Sequence, residues 1–415
     1  MKKKYSKFVI YVLTWIALFI GNVVSGQNFS DNASNYASSW ANNSNQGTGF
    51  GAWSLNAGAS SGSFIGNPAN NDMGTNGIGT TAFGMFATGS AYFNAYRSIN
   101  NGIQVGDTFS FYWAINWDAG GGSKGFDLRS GGTTIFNVNN GGSSTITTTN
   151  GNANTAYGTT PMLVTITRTG AAVYSFSMTS RSGGAAYTTT ISNSATIDGF
   201  NFYIGNQNDG SGQKNMFVNG FSITKPITLA DGNWNETAIW LNNTIPPTDA
   251  SVTINHNISL NTDVSLRSIL INNGKTLTAS DSTPRTLTIS NGGSLTNNGT
   301  FTAGNGTVAF AGSATVSGTI IFNNVTLAGG VNFGASATIN SNLTINSGGF
   351  VTTNAPIYGS GATLVYNSGG TFNRGTEWSA TSGKGYPNNV QISGNTTFNL
   401  NNGANVARQM GGTLT

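Results

Sequence analysis

From about Ser251 to the last residue, short runs of alternating apolar and polar positions recur between tight glycine turns. Six runs carry the pattern: Ile269-Leu270-Ile271 before Gly274, Leu287-Thr288-Ile289 before Gly292, Val308-Ala309-Phe310 before Gly312, Val325-Thr326-Leu327 before Gly330, Leu343-Thr344-Ile345 before Gly348, and Leu364-Val365-Tyr366 before Gly369. Successive glycines stand 18, 20, 18, 18 and 21 residues apart. A period near twenty, built from short strands without helical periodicity, predicts a stacked β-solenoid. The Asn-Gly and Gly-Gly corners supply positive φ without steric cost. One rung cannot bury its own apolar side chains, so several must form together. Residues 373–389 break the rhythm with Arg374, Glu377, Trp378, Lys384, Tyr386 and Pro387, which predicts a surface loop; the period resumes at Val390. The chain stops at Thr415 inside a strand pattern, as a piece of a longer protein would.

The first half lacks that period. Its alternating segments predict strands over residues 108–115, 162–168, 172–178, 200–204 and 216–223, the second and third forming a hairpin across Thr169-Gly170-Ala171. Alternation buries one face of each strand and wets the other, as in a β-sandwich.

Residues 29–224 resemble the bacterial concanavalin-A-like jelly-roll domains. The resemblance rests on Phe29-Ser30-Asp31, Gly49-Phe50-Gly51-Ala52-Trp53, Ala95-Tyr96-Arg97-Ser98-Ile99, Gly106-Asp107-Thr108-Phe109-Ser110, Gly125-Phe126-Asp127-Leu128-Arg129 and Val218-Asn219-Gly220-Phe221-Ser222-Ile223. It implies a lectin-like, glycan-facing module. Gly232-Asn233-Trp234-Asn235, Ala238-Ile239-Trp240 and Pro246-Pro247 resemble the openings of bacterial β-helix domains, including the G8 type, although Thr244-Ile245 replaces the usual glycine before the prolines. Trp234 and Trp240 are placed to plug the first coil, where a bare solenoid end would expose its core. The fold expected is all-β: a jelly-roll sandwich over 27–225, a linker and cap over 226–250, and a single-stranded right-handed β-solenoid over 251–415.

Composition changes the picture once the N-terminus is set aside. Lys2, Lys3, Lys4 and Lys7 precede an apolar run over residues 8–20, and Val24-Ser25-Gly26 offers a small-residue cleavage site, so residues 1–26 read as an export signal. That run is too short for a bilayer span, and no membrane insertion is expected after its removal. Without the signal, 13 basic residues face 13 acidic ones, and the cations are unclustered. Nucleic acid and anionic membranes are therefore poor partners. Only 7% of residues are charged and there is no cysteine, so stability must come from size and repetition rather than disulfides.

Candidate chemistry is sparse. His256 is the only histidine, which excludes a His-based metal cluster or triad and leaves a hydrogen-bonded structural role. From Ser282 onward Glu377 is the only acid, so the solenoid lacks the paired carboxylates of glycan-cleaving β-helices, and no enzyme activity is expected. Trp117, Asp118, Lys124 and Asp127 follow the strand that ends near Trp113. An aromatic, an acid and a glycine-rich loop is the chemistry of sugar recognition: a ring stacks on the apolar sugar face while carboxylates and amides take hydroxyls. Asn206, Gln207, Asn208 and Asp209 form a second polar loop that joins them if the loops converge at one end of the sandwich. The alternative places Trp113 in the core and Asp118 in a turn. No cofactor is expected; calcium held by Asp118 or Asp209 with backbone carbonyls would lack the Asp-x-Asp spacing of dedicated loops. An ice-facing rank of threonines fails on register, since Thr276 and Thr278 follow their glycine while Thr286 and Thr288 precede theirs. Asn-x-Ser/Thr triplets at Asn32, Asn257, Asn298, Asn324 and Asn342 follow from composition.

Together these features read as a secreted or surface-displayed, adhesin-like bacterial chain. Its style resembles the large exported proteins of the Bacteroidetes, with a polysaccharide or glycoconjugate surface as partner. The competing readings are a non-catalytic targeting arm of a larger polysaccharide-degrading enzyme and a purely structural surface or matrix component.

Overall fold

The computed structural model describes residues 29–37, 39–116, 122–153, 156–207, 211–279, 283–401 and 408–415. The architecture is all-β, with two packed sheets followed by a β-solenoid. In the first half the strands are β1 (Phe29–Asp31), β2 (Ser54–Ala57), β3 (Ser61–Gly66), β4 (Ala82–Ala87), β5 (Tyr92–Ser98), β6 (Thr108–Ile115), β7 (Ser123–Ser130), β8 (Thr133–Asn140), β9 (Thr147–Thr148), β10 (Gly151–Asn152), β11 (Met162–Gly170), β12 (Val173–Met178), β13 (Tyr187–Ser192), β14 (Gly199–Gly205) and β15 (Met216–Thr224). One sheet runs β13-β12-β11-β6-β15-β4-β3 with β1 beside β15; the other runs β10-β9-β8-β7-β14-β5-β2. Every pairing is antiparallel. The β11–β12 hairpin forms as expected, but β11 continues to Gly170 and the turn is Ala171-Ala172.

Between the sheets lies an aromatic core. Phe200 and Phe221 stack at 5.4 Å from opposite sheets, and Trp53, Phe83, Phe109, Phe111 and Phe202 pack around them. Trp113 is fully buried against Phe126, which places it in the core rather than in a ligand site. The core also holds an ion pair. Arg97 of β5 points inward, donates to Asp31 of β1 and to the Gly51 carbonyl at 2.8 Å, and lies 4.7 Å from the Trp53 ring centre; both charged side chains are 0% exposed. Asp31 also accepts the Tyr36 hydroxyl at 2.8 Å.

In the solenoid each full rung contributes three short parallel strands. One face stacks Val264-Leu266 under Leu287-Ile289, then Val308-Phe310, Val325-Leu327, Leu343-Ile345, Leu364-Tyr366 and Val390-Ile392. Five of the six runs singled out in the sequence lie on this face. The sixth does not: Ile269-Ile271 stacks under Leu295-Asn297 on the next face, because the rungs differ in length and a glycine does not say which corner it turns. Gly312 and Gly330 are not positive-φ corners; a Cβ there would lie 2.6 Å from Asn291 or 2.7 Å from the Phe350 ring, so close approach requires them. Thr276 and Thr278 stack on Thr300 and Thr302, whereas Thr288 stacks on Ala309, so no long Thr-x-Thr rank forms among the described residues. Trp234 and Trp240 fill the first coil edge to face at 4.7 Å, and Trp240 Nε1 donates to the Trp234 carbonyl at 2.9 Å. His256 Nδ1 donates to the Thr228 carbonyl at 2.9 Å, a structural role.

Stacked amides line the rungs: Asn342 donates to Asn324 at 3.3 Å, Asn367 to Asn346 at 3.0 Å, and Asn354 to Asn332 at 2.9 Å. The segment expected as a surface loop in fact turns its first residues inward. Arg374, Glu377 and Trp378 are buried, while Lys384 is exposed. Glu377 Oε1 accepts from Gly375 N–H at 2.7 Å and from the Tyr366 hydroxyl at 3.1 Å. The reason is the Trp378 ring, which stacks on Phe398 and carries its neighbours into the core with it.

Two predictions follow from these buried charges. Replacing Asp31 by Ala leaves Arg97 charged in an apolar core and should cost about 3–5 kcal/mol. Urea denaturation of the two chains checks this, and an unchanged midpoint would contradict it. Burial holds the Glu377 carboxyl above its ordinary value of 4.5, against the opposing pull of the Gly375 and Tyr366 hydrogen bonds. The folded state therefore holds this proton more tightly than the unfolded chain. The resulting stabilisation is complete below about pH 4 and is lost as pH rises through the folded-state value. Glu377→Gln should remove that decline from the melting temperature measured between pH 4 and 8; parallel profiles for the two chains would refute the assignment.

Candidate functional site

Strand direction decides which loops meet. In β7 and β14 the register pairs Ser123 with Gly205, so the segment before β7 and the segment after β14 leave the sheet side by side. The two loops singled out in the sequence thus begin at one end of the sandwich. Trp117, Asp118, Asn208 and Asp209 themselves lie outside the described residues. Asn206 sits at this rim, exposed, with φ of 54°.

Lys124 and Asp127 do not join it there. They stand three positions apart on one strand, so alternation sends them to opposite faces. Lys124 points into the sandwich, is 1% exposed and pairs across from Asn140. Asp127 points outward in mid-sheet, between Asn201 and Asn137, and accepts a 2.9 Å hydrogen bond from Asn137 Nδ2. Reading the two as one cluster with Asn206 is therefore corrected by the pleat.

Of the polar loop, Gln207 joins rim residues that the sequence did not single out. A cavity of about 250 Å³ is lined by Phe86, Thr88, Gln207, Ser211, Lys214 and Asn215, with Ala87 at its edge. Gln207 is 2% exposed; its Nε2 donates to the carbonyls of Gly205 at 2.8 Å and Ser123 at 3.3 Å. Its Oε1 is buried with no hydrogen-bond donor. A buried acceptor without a donor is costly and marks a place where an incoming hydroxyl or amide is welcome. Beside it Phe86 leaves a third of its surface in solvent, at 36%. Asn215 Nδ2 donates to Asn71 Oδ1 at 2.9 Å, and Asn116 Nδ2 reaches the Asp72 carbonyl at 3.2 Å, so short side-chain bridges brace the rim. Phe86 was findable: in β4, Phe83, Met85 and Ala87 face the core, and period two leaves Phe86 as an apolar residue on the wet face. Gln207 was legible only as a member of the polar loop; that its acceptor is buried without a donor depends on tertiary packing.

The chemistry on offer is a small polar cavity with one aromatic wall. Among the described residues no group of three or more His, Cys, Asp or Glu side chains could hold a metal ion. Among the same residues no helix is long and apolar enough to cross a membrane.

No protein-family model matches the chain, and no curated protein matches its sequence. Several solved structures are similar at low identity. A protein of unknown function from Shewanella oneidensis MR-1 is 11% identical, with 54% of this chain and 96% of that one covered and a TM-score of 0.31. Arcelin-5, a lectin-like defense protein from Phaseolus vulgaris, is 9% identical over 47% of this chain and 97% of its own, with a TM-score of 0.28. The potassium-bound carbohydrate recognition domain of Emp46p is 10% identical over 41% and 87%, with a TM-score of 0.26.

Proposed function

We propose that this chain is an exported, non-catalytic, adhesin-like protein whose sandwich binds carbohydrate at the rim and whose solenoid serves as a stalk. The observation that carries the reading is the rim cavity, where the orphaned Gln207 acceptor lies beside the exposed Phe86 ring. A sugar presents an apolar face for the ring and hydroxyls that donate to the amide oxygen, so one small ligand satisfies both groups. The solenoid supports a scaffolding role: Glu377, its only acid beyond Ser282, is locked inside the core and cannot reach a substrate. Export is the reading of residues 1–26, which lie outside the described residues.

A glycan array probed with the mature chain tests the proposal, followed by calorimetry on the best ligand. Phe86→Ala should weaken that ligand by about tenfold, near 1.4 kcal/mol, with little change in melting temperature because the ring is already partly in solvent. Undiminished affinity in that variant, or no binding across the array, would sink the rim as a sugar site.

A further inference from the structure

A second surface, away from the rim, is built to hold a ligand. On the outward side of the seven-stranded sheet the register aligns Ser54, Tyr96, Asn201, Asp127 and Asn137 in one row across β2, β5, β14, β7 and β8. Apart from the consecutive β7 and β8, those strands come from distant parts of the chain, and the row spans about 19 Å at the usual strand spacing. The next row carries Asn94, Tyr203 and Asn139, with Gly125 between the last two.

Glycine shapes this surface. A Cβ on Gly125 would lie 2.5 Å from the Tyr203 hydroxyl, and one on Gly199 would lie 2.8 Å from the Tyr96 hydroxyl. Both tyrosines therefore lean across a neighbouring strand instead of standing off the sheet. The Arg129 guanidinium carbon sits 5.6 Å from the centre of the Tyr96 ring and steadies it. The polar groups are fixed as well. Asn137 Nδ2 donates to Asp127 Oδ1 at 2.9 Å and to the Tyr203 hydroxyl at 2.8 Å, and Asn201 Nδ2 donates to Asn94 Oδ1 at 3.2 Å. Burial pushes the Tyr203 hydroxyl well above the usual phenol range, with the Asp127 charge adding to the rise against the Asn137 hydrogen bond, so it stays a neutral donor. Within the described residues Asp127 Oδ2, Asn137 Oδ1 and Asn201 Oδ1 accept no hydrogen bond, which leaves preset acceptors along the row, with Asn201, 7% exposed, the most recessed of the three.

We infer that this face binds a neutral polysaccharide chain laid across the strands, a reading that rests on the carbohydrate function proposed above and names its ligand class. Fixed acceptors in a line suit a polymer of hydroxyl donors, and two leaning rings offer it apolar contact. The only carboxylate in the row, Asp127, is the fourth of its five positions and repels an anionic polymer laid over it. An extended ligand also fits the row better than a single sugar does, because the acceptors are spread over several strands.

Affinity electrophoresis of the mature chain through gels containing mixed-linkage β-glucan, xylan, galactomannan or alginate tests the inference. At least one neutral polymer should retard the wild type, with alginate weaker. Asp127→Ala and Asn201→Ala should each raise the apparent Kd about tenfold. Tyr203→Phe, which keeps the ring and loses the hydroxyl's bonds to Asn137 and to Val138 or Asn139, guards against loss of fold and should have a smaller effect in the same direction; melting curves accompany all three. Phe86→Ala at the rim should leave polymer retardation within about twofold of wild type. Retardation lost in Phe86→Ala but intact in the three sheet variants would overturn the sheet face and leave the rim standing. Strongest retardation by alginate would overturn the neutral class. Retardation by none of the polymers would overturn the sheet face, and the array then decides the rim on its own.

Discussion

The sandwich depends on one buried contact, the ion pair between Arg97 and Asp31. Arg97 belongs to the seven-stranded sheet and Asp31 to the other, so the pair ties the two layers through the core. Removing two charges from water costs several kcal/mol each, which only a full set of partners offsets. Those partners come from the long irregular stretch between β1 and β2: the Gly51 carbonyl, Asn45, and Tyr36 on the carboxylate side. The faces of Trp53 and Phe50 close over the guanidinium. A segment with few backbone ladder bonds of its own is thereby fixed by a charge. The consequence reaches the outer surface, because Arg97 shares β5 with Asn94 and Tyr96. Holding the arginine inward holds those two side chains outward, in line with Asn201 and Tyr203.

A different constraint governs the solenoid. In a parallel stack, equivalent side chains sit one above another at about 4.8 Å. Like charges at that distance repel, whereas an amide both donates and accepts and can repeat without limit. The hydrogen-bonded columns Asn324–Asn342, Asn346–Asn367 and Asn332–Asn354 are that solution. They give the low charge of the chain a physical cause. Charge enters the upper rungs where the repeat is broken, around Arg374 and Glu377, and there it is buried with its own partners.

Much of this was legible in the sequence, and the failures have definite causes. Period-two alternation located the long strands and the repeated runs because burial on one face is a local property. The stacking of Ile269-Ile271 was misread because rung length varies, so equal spacing between glycines does not mean equal position on the prism. Lys124 and Asp127 looked like one cluster because they are close in sequence, yet odd spacing on a strand separates them across the sheet. The row through Tyr96, Asn201, Asp127 and Asn137 was hidden for the opposite reason. Apart from Asp127 and Asn137 on the β7–β8 hairpin, its members are far apart in sequence and meet only through the strand order β5-β14-β7-β8, which alternation does not encode. The inward turn at Glu377 was missed because a charged insertion in a polar repeat normally faces water, and the Trp378 side chain overrides that rule.

Strand direction also relates the two halves of the chain to the proposed function. β6 runs from Thr108 to Ile115 and β15 returns from Met216 to Thr224, so Ile115 and Met216 mark the rim end and Thr108 and Thr224 the other. At that other end Lys225 pairs with the buried Asp107 at 3.1 Å, and Gly106 packs so closely that a Cβ would meet Ala250 at 2.8 Å. The chain therefore enters the solenoid from the end opposite the rim, through a contact with no room for slack. Nine residues of β15, about 30 Å of strand, separate the stalk from the rim cavity. A solenoid attached at the rim would cover the loops of the proposed site. Attached at the far end and braced by Lys225, the solenoid joins the sandwich away from Ile115 and Met216, as the proposed arrangement of head and stalk calls for.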